Sequence, residues 1–193
     1  MAPDAVFKAE LRRAALSRRA ALPPQTRAAF SEQLRRQGVE LALRRKALSV
    51  SAFHPVRDEP DTLALLEALA QRGVATALPV TGKRGTPLIF RRWRPGEPTV
   101  PGQLRIPEPP PHAPALDPDL LFVPLAAFDR RGFRIGYGAG HYDLTLARLM
   151  TIKPIVTVGV GYGVCEVEAI PAEPHDIALD YVLTDRELIE VQR

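Results

Sequence analysis

LLFVPLAAFDRRGFRIGYGAGHYD, residues 120–143, is the stretch on which the fold turns. Its first five residues are apolar at every position, which suits a strand buried on both faces rather than one. Three glycines then alternate with other residues at Gly136, Gly138 and Gly140, and HYDLTLARLM (141–150) continues as a helix. Strand, glycine loop and helix in that order are the unit of an open α/β sheet, whose functional loops leave the carboxyl ends of its strands.

Outward from this stretch the alternation continues. Residues 47–53 (ALSVSAF), 74–80 (VATALPV) and 154–163 (PIVTVGVGYG) are short and rich in small or β-branched residues, and read as strands. PLIFRRW (87–93) reads as another, hairpinned with what precedes it, and YVLTD (181–185) as a late one. Residues 61–73 space leucines at 63, 66 and 69 and close on Gly73, a helix with its stop. Upstream, 4–22 is built of strong helix formers with Asp4 placed to cap them. Pro23 and Pro24 break that helix and open a second over 24–45.

Residues 95–118 hold nine of the 20 prolines and read as an irregular, polyproline-like crossing segment, not a central strand. The expected fold is therefore α/β and three-layered. A mostly parallel sheet carries helices on both faces, with basic N-terminal helices and one long Pro-rich connection. Neither side of that connection shows a complete core, so 1–193 is expected to be a single domain.

The net charge of +4 conceals an asymmetry: residues 1–46 carry 11 basic and 4 acidic side chains, the remainder 15 and 18. A basic segment on a mildly acidic body calls for an anionic partner or presents a solvated basic face. Nucleic acid would need aromatics interleaved with the cations, and 1–46 offers only Phe7 and Phe30. Asp4 and Glu10 interrupt any resemblance to a transit peptide, and the segment lacks the apolar core of a secretory signal. No run approaches the roughly 18 apolar residues of a membrane span. The single cysteine, Cys165, rules out an internal disulfide framework and suits a reducing compartment.

Three clusters carry chemistry. In the glycine loop, N–H groups freed of side chains can converge on an oxyanion, and the helix that follows adds its positive end. Arg134 supplies a permanent cation beside it, and Asp143 is a carboxylate able to hold a divalent metal. The loop is neither G-x-x-x-x-G-K-[ST] nor G-x-G-x-x-G, since His141 stands where the third glycine belongs; alone it is a tight turn or a phosphate cradle. KAELR places Lys8 and Arg12 at i and i+4 on one helix face. PAEPHD (171–176) places Asp176 in a proline-bounded loop, as a metal contact or a helix cap.

Together these clusters resemble the 5-formyltetrahydrofolate cyclo-ligase family. The resemblance rests on KAELR, LLFVPLAAFDRRGFRIGYGAGHYD and IPAEPHDIALDYVLTD, and runs from Lys8 to Asp185. It implies ATP- and Mg²⁺-dependent cyclisation of 5-formyltetrahydrofolate to 5,10-methenyltetrahydrofolate, releasing ADP and phosphate. On that resemblance Lys8, Arg12, Arg134, Gly136, Tyr137, Gly138, Ala139, Gly140, His141 and Tyr142 match ATP contacts. Asp143 and Asp176 match the metal carboxylates, and Glu59 a folate contact. Glu108 falls in a matching PEP segment. Trp93 and Tyr142 are further candidates against the substrate. Phe90 and Trp93, three apart on a strand, face opposite ways, so at most one can stack on the pterin.

The family's chemistry transfers the γ-phosphoryl group to the formyl oxygen; N10 of the substrate then attacks the activated carbon and phosphate leaves. No protein nucleophile is required. Lys8, Arg12 and Arg134 are expected to neutralise charge. His141, Leu144 and Cys165 depart from the family's usual tyrosine, arginine and glutamine. The expected protein is a monomeric cytoplasmic enzyme taking ATP and a folate, with or without a polyglutamate tail, and no membrane or nucleic-acid partner. The alternatives are a catalytically silent folate- or nucleotide-binding regulator, a basic nucleic-acid-binding module, and a sugar-phosphate enzyme on a similar sheet.

Overall fold

A computed structural model describes residues 3–103 and 105–192. The chain opens with α1 (Pro3–Ala20) and α2 (Pro24–Arg44), and Pro24 occupies the first turn of α2, where its missing N–H costs nothing. The side chain of Asp4, expected to cap α1, lies outside the described residues. β1 (Ser49–Ser51), α3 (Leu63–Ala70), β2 (Ala75–Val80) and β3 (Ile89–Arg92) follow. The Pro-rich connection contains β4 (Val100–Pro101) and β5 (Pro107–Glu108). Next come β6 (Leu120–Pro124), β7 (Ala127–Phe128), β8 (Arg134–Ile135) and α4 (His141–Ile152). The chain closes with β9 (Val156–Val160), a 3-10 turn (Gly163–Cys165), β10 (Tyr181–Leu183) and β11 (Leu188–Glu190).

Seven strands form the central sheet in the order β11-β10-β9-β6-β1-β2-β3. The five inner strands are parallel, and the two edges, β3 and β11, are antiparallel additions. The alternation within β6 explains the continuous apolar run. Leu120 and Phe122 face a core shared with Phe30 and Leu34 of α2 and Leu65, Leu66 and Leu69 of α3. Leu121 and Val123 face a second core with Leu146 and Leu149 of α4. Helices thus cover both faces, as expected. From β1 the chain crosses through α3 to β2, and from β6 through α4 to β9 on the other face, so the two halves wind outwards from the β1–β6 pair.

Gly38, in the middle of α2, permits close packing: a Cβ there would lie 2.9 Å from Leu65 Cδ1 and 3.1 Å from Phe122 Cζ. The Pro-rich connection differs from the expected wholly irregular segment. β4 and β5 pair antiparallel within it, and Ala115 bridges to Arg91 at the sheet edge. β11 and the β7–β8 ribbon are also additions to the expected strands; each is only two or three residues long. No helix among the described residues is long and apolar enough to cross a membrane.

Candidate active site

The loops that leave β1, β2 and β6 at their carboxyl ends open onto one cleft of about 1350 Å³. β1 and β6 are the pair from which the two halves wind apart, the place where open α/β sheets hold ligands. α1 contributes Lys8, Arg12 and Arg19 to its lining, and the segment around Glu173–Asp176 adjoins α1 at Lys8.

The glycine loop is held in shape from below. Asp129, fully buried, accepts hydrogen bonds from the backbone N–H groups of Arg131 (3.0 Å), Phe133 (3.2 Å) and Ile170 (2.9 Å) and from the Arg131 guanidinium (2.6 Å). That carboxylate ties the start of the loop to the last segment of the chain, a role the FD dipeptide did not announce. Gly138 and Gly140 have φ of +92° and +70°, the left-handed region that disfavours side chains. Gly140 caps α4, whose first turn carries Asp143.

Lys8 and Arg12 project from the same face of α1, as their spacing predicts. Arg12 Nε donates to the Gly136 carbonyl at 2.7 Å, bracing the loop against the helix. Lys8 Nζ bonds Asp176 at 2.7 Å and Glu173 at 3.0 Å. Burial pulls the Lys8 pKa down, but its hydrogen bonds and attraction to the two carboxylates outweigh this and hold it above the usual lysine value. For Asp176 burial works upwards, and the Glu173 N–H bond and Lys8 outweigh it, leaving the carboxyl below its usual range. Arg134 Nη2 reaches Asp143 at 3.1 Å, while its guanidinium lies 5.7 Å from the centre of the Tyr142 ring. Its Nε is buried with no hydrogen-bond partner among the described residues. Asp143 Oδ1 also accepts from the Ile177 N–H at 3.5 Å, so the two expected metal carboxylates stand on neighbouring pieces of backbone. Ligand atoms of Glu173, His175 and Asp176 lie within 4.8 Å of one another.

Glu59 also lines the cleft. It accepts from the Val56 N–H at 2.9 Å and from the Tyr137 hydroxyl, which itself accepts from Arg19 Nη1 at 2.7 Å. Burial pushes the Glu59 pKa up, more than the Tyr137 and Val56 bonds and the Arg19 charge pull it down. Arg19 is buried yet lines the cleft; among eleven basic residues in the first 46 it carried no signal of its own. Glu108 is buried at the cleft wall and accepts from the Thr81 N–H at 3.0 Å.

Several expected contacts are revised by the structure. Trp93 does not reach the cleft: it is 5% exposed in the α2–α3 core, its Nε1 donating to the Glu97 carbonyl at 3.2 Å. Phe90 is sealed in the opposite core, so the two do face opposite ways and neither meets the site. The reason is that Phe90 in the edge strand β3 and Trp93 just after it turn into the cores on the two sides of the sheet, so both are used for packing. His141 Nδ1 bonds the Thr86 carbonyl at 2.7 Å, which requires the proton on that nitrogen and ties the start of α4 to the β2–β3 connection. Leu144 lies on the cleft rim, and Cys165 is buried behind α1, where burial raises its thiol pKa.

A mostly parallel sheet with a cation- and carboxylate-lined cleft at its switch point makes this an α/β ligand-binding protein, and comparison with known proteins gives its class. Residues 4–185 match the 5-formyltetrahydrofolate cyclo-ligase family. Over 187 residues the chain is 36% identical to the 5-formyltetrahydrofolate cyclo-ligase of Mycolicibacterium smegmatis, covering 93% of this chain and 94% of that one. It is 33% identical to the Escherichia coli K12 protein of the same name, over 90% and 97% of the two chains. The solution structure of a 5,10-methenyltetrahydrofolate synthetase from Aquifex aeolicus superposes with a TM-score of 0.79 at 27% identity, over 97% of this chain and 94% of that one. The chain belongs to the 5-formyltetrahydrofolate cyclo-ligase family, a family of ligases.

Proposed function

We propose that the chain, acting over residues 1–193 as a single domain, converts 5-formyltetrahydrofolate to 5,10-methenyltetrahydrofolate at the expense of ATP. The observation that carries this reading is that one cleft is lined by Lys8, Arg12, Arg134, Asp143 and Asp176 and also by Glu59, which meets the glycine loop at the Tyr137 hydroxyl. The first group suits a polyphosphate. Cations face it from α1 and β8, and the α4 N-terminus with its preceding glycines (Gly136, Gly138, Gly140, with Tyr137, Ala139, His141 and Tyr142 between and after them) cradles oxygens. Asp143 and Asp176 offer hard carboxylate oxygens that suit Mg²⁺, which on binding would neutralise phosphate charge.

Lys8 and Arg134 are each paired with a carboxylate; Asp176 and Asp143 would hold the metal, and Lys8 and Arg134 would then be free to meet phosphate oxygens. Glu59 accepts two N–H donors from the edge of a pterin. With both ligands aligned, the γ-phosphoryl group passes to the formyl oxygen, N10 closes the ring on the activated carbon, and phosphate departs with that oxygen. Lys8, Arg12 and Arg134 stabilise the charge that moves. The reading includes a monomeric cytoplasmic enzyme.

The test is the near-ultraviolet absorbance of the methenyl product when the protein is mixed with 5-formyltetrahydrofolate, Mg²⁺ and ATP. The expected result is ATP-dependent growth that falls about a hundredfold in Asp143→Asn, the scale of removing one charge-stabilising group. Absence of growth with folate binding intact by calorimetry would replace the enzyme with a silent folate-binding protein; absence of both would remove the folate assignment.

A further inference from the structure

The loop residue between the first two glycines, Tyr137, sends its hydroxyl across to the β1 loop and α1. The Tyr137 hydroxyl donates to Glu59 and accepts from Arg19 Nη1 at 2.7 Å, while the residue remains 51% exposed and lines the cleft. Phe53, which lines the same cleft from the β1 loop, is 4% exposed, and Trp93 and Phe90 are shut in the cores. We propose that the ring of Tyr137 is the surface on which the folate heterocycle of the substrate rests, with Arg19 and Glu59 holding it beside the Glu59 carboxylate. This rests on the folate reading of the cleft and assigns the substrate's aromatic contact.

The argument is one of preorganisation. A tyrosine on a glycine loop would ordinarily lose rotamer freedom on binding; here both the hydroxyl's donor and its acceptor capacity are already used, so the ring is fixed before a ligand arrives. A flat heterocycle gains from stacking on an exposed aromatic face. Glu59 engages one partner at each oxygen, Tyr137 at Oε1 and the Val56 N–H at Oε2, and each oxygen keeps a second lone pair for the N–H donors of the stacked ring's edge. Arg19, 4% exposed, enters as a positioning residue: it anchors the tyrosine from α1 and itself leans on Asp58, whose carboxylate lies 3.9 Å from its Nε. One hydroxyl therefore links three elements of the cleft: α1, the glycine loop and the β1 loop.

The experiment compares Tyr137→Ala and Tyr137→Phe in the full chain. It measures the KM for each substrate and, by calorimetry without ATP, the affinity for 5-formyltetrahydrofolate. Tyr137→Ala is expected to weaken folate affinity about tenfold, one stacking contact, while KM for ATP stays within about twofold. Tyr137→Phe keeps the ring and loses the latch, and is expected to weaken folate about threefold. Arg19→Lys, which keeps the charge but not the planar fork, should match the phenylalanine variant.

Unchanged folate affinity in Tyr137→Ala, or a change confined to ATP, overturns the assignment. A wild-type protein that binds folate without forming product removes the catalytic reading alone, and the tenfold loss then still supports the platform. A wild-type protein that binds no folate overturns both.

Discussion

Glu59 shows how a single carboxylate sets a pH limit. Its pKa lies above the ordinary 4.5 because burial disfavours the charged form. The folded state therefore holds this proton more tightly than the unfolded chain, and stability falls as pH rises from 4.5 through the folded value. On the proposed reading, folate recognition by Glu59 runs the other way, since it would use the ionised form. The KM for 5-formyltetrahydrofolate is expected to climb as pH drops through a value above 4.5, and that acid limb should vanish in Glu59→Gln. The same variant should bind folate about tenfold more weakly, having one acceptor oxygen in place of two, and be more stable at neutral pH.

Lys8→Met should raise the KM for ATP about tenfold or more while leaving folate affinity unchanged, as measured by the same titrations. At this scale Lys8, Arg12, Arg134, Asp143 and Asp176, singled out by residue type and spacing, and Glu59, singled out by the family resemblance, all line the cleft. Trp93 misled because rarity says nothing about which face of a strand a side chain takes. Arg19 and the side chain of Tyr137 were illegible because their partners lie 118 and 78 residues away from Tyr137, in separate elements.

Between the elements, two contacts decide how α2 and the glycine loop are held. Gly38→Ala exchanges a poor helix former for the best one, a gain of about 1 kcal/mol, yet its methyl would enter the fully buried Leu65 and Phe122 side chains. Overpacking costs about 1–3 kcal/mol and wins, so urea unfolding should show a net loss of stability. Asp129→Ala leaves the N–H groups of Arg131, Phe133 and Ile170 without their acceptor. The expected cost is about 3 kcal/mol by the same measurement, with looser ATP binding because the loop loses its base. The long apolar strands and the strong helices were legible because period and length agree over many residues. β4, β5, β7, β8 and β11 were not: two or three residues carry no period, and their pairing is supplied by the chain that surrounds them.

Across the molecule, α1 is fastened to the 173–176 segment by the Lys8–Asp176 pair, and the shifts of both partners define when that fastening holds. Asp176, depressed below 3.8, contributes above that pH and loses its contribution as pH falls through its folded value. Lys8, raised above 10.5, contributes fully below that pH and loses its contribution as pH rises further. Amide exchange in α1 is therefore expected to accelerate outside the span from 3.8 to 10.5 before exchange in the inner strands does. The mostly parallel sheet followed from the order of elements; its switch point between β1 and β6 and the swing of α1 back over the cleft did not, because both are set by pairings between distant parts of the chain.

That fastening also sets a timetable. Lys8 and Asp176 are 168 residues apart, so on the ribosome the helix emerges long before the carboxylates that will hold it. At about 5–20 residues per second the interval is roughly ten to thirty seconds. Throughout it α1 has no acidic partner at that end, and the cleft lacks the lining that Glu173–Asp176 supply. On the proposed reading, a nascent chain can draw on ATP only after Asp176 has emerged, 168 residues behind Lys8.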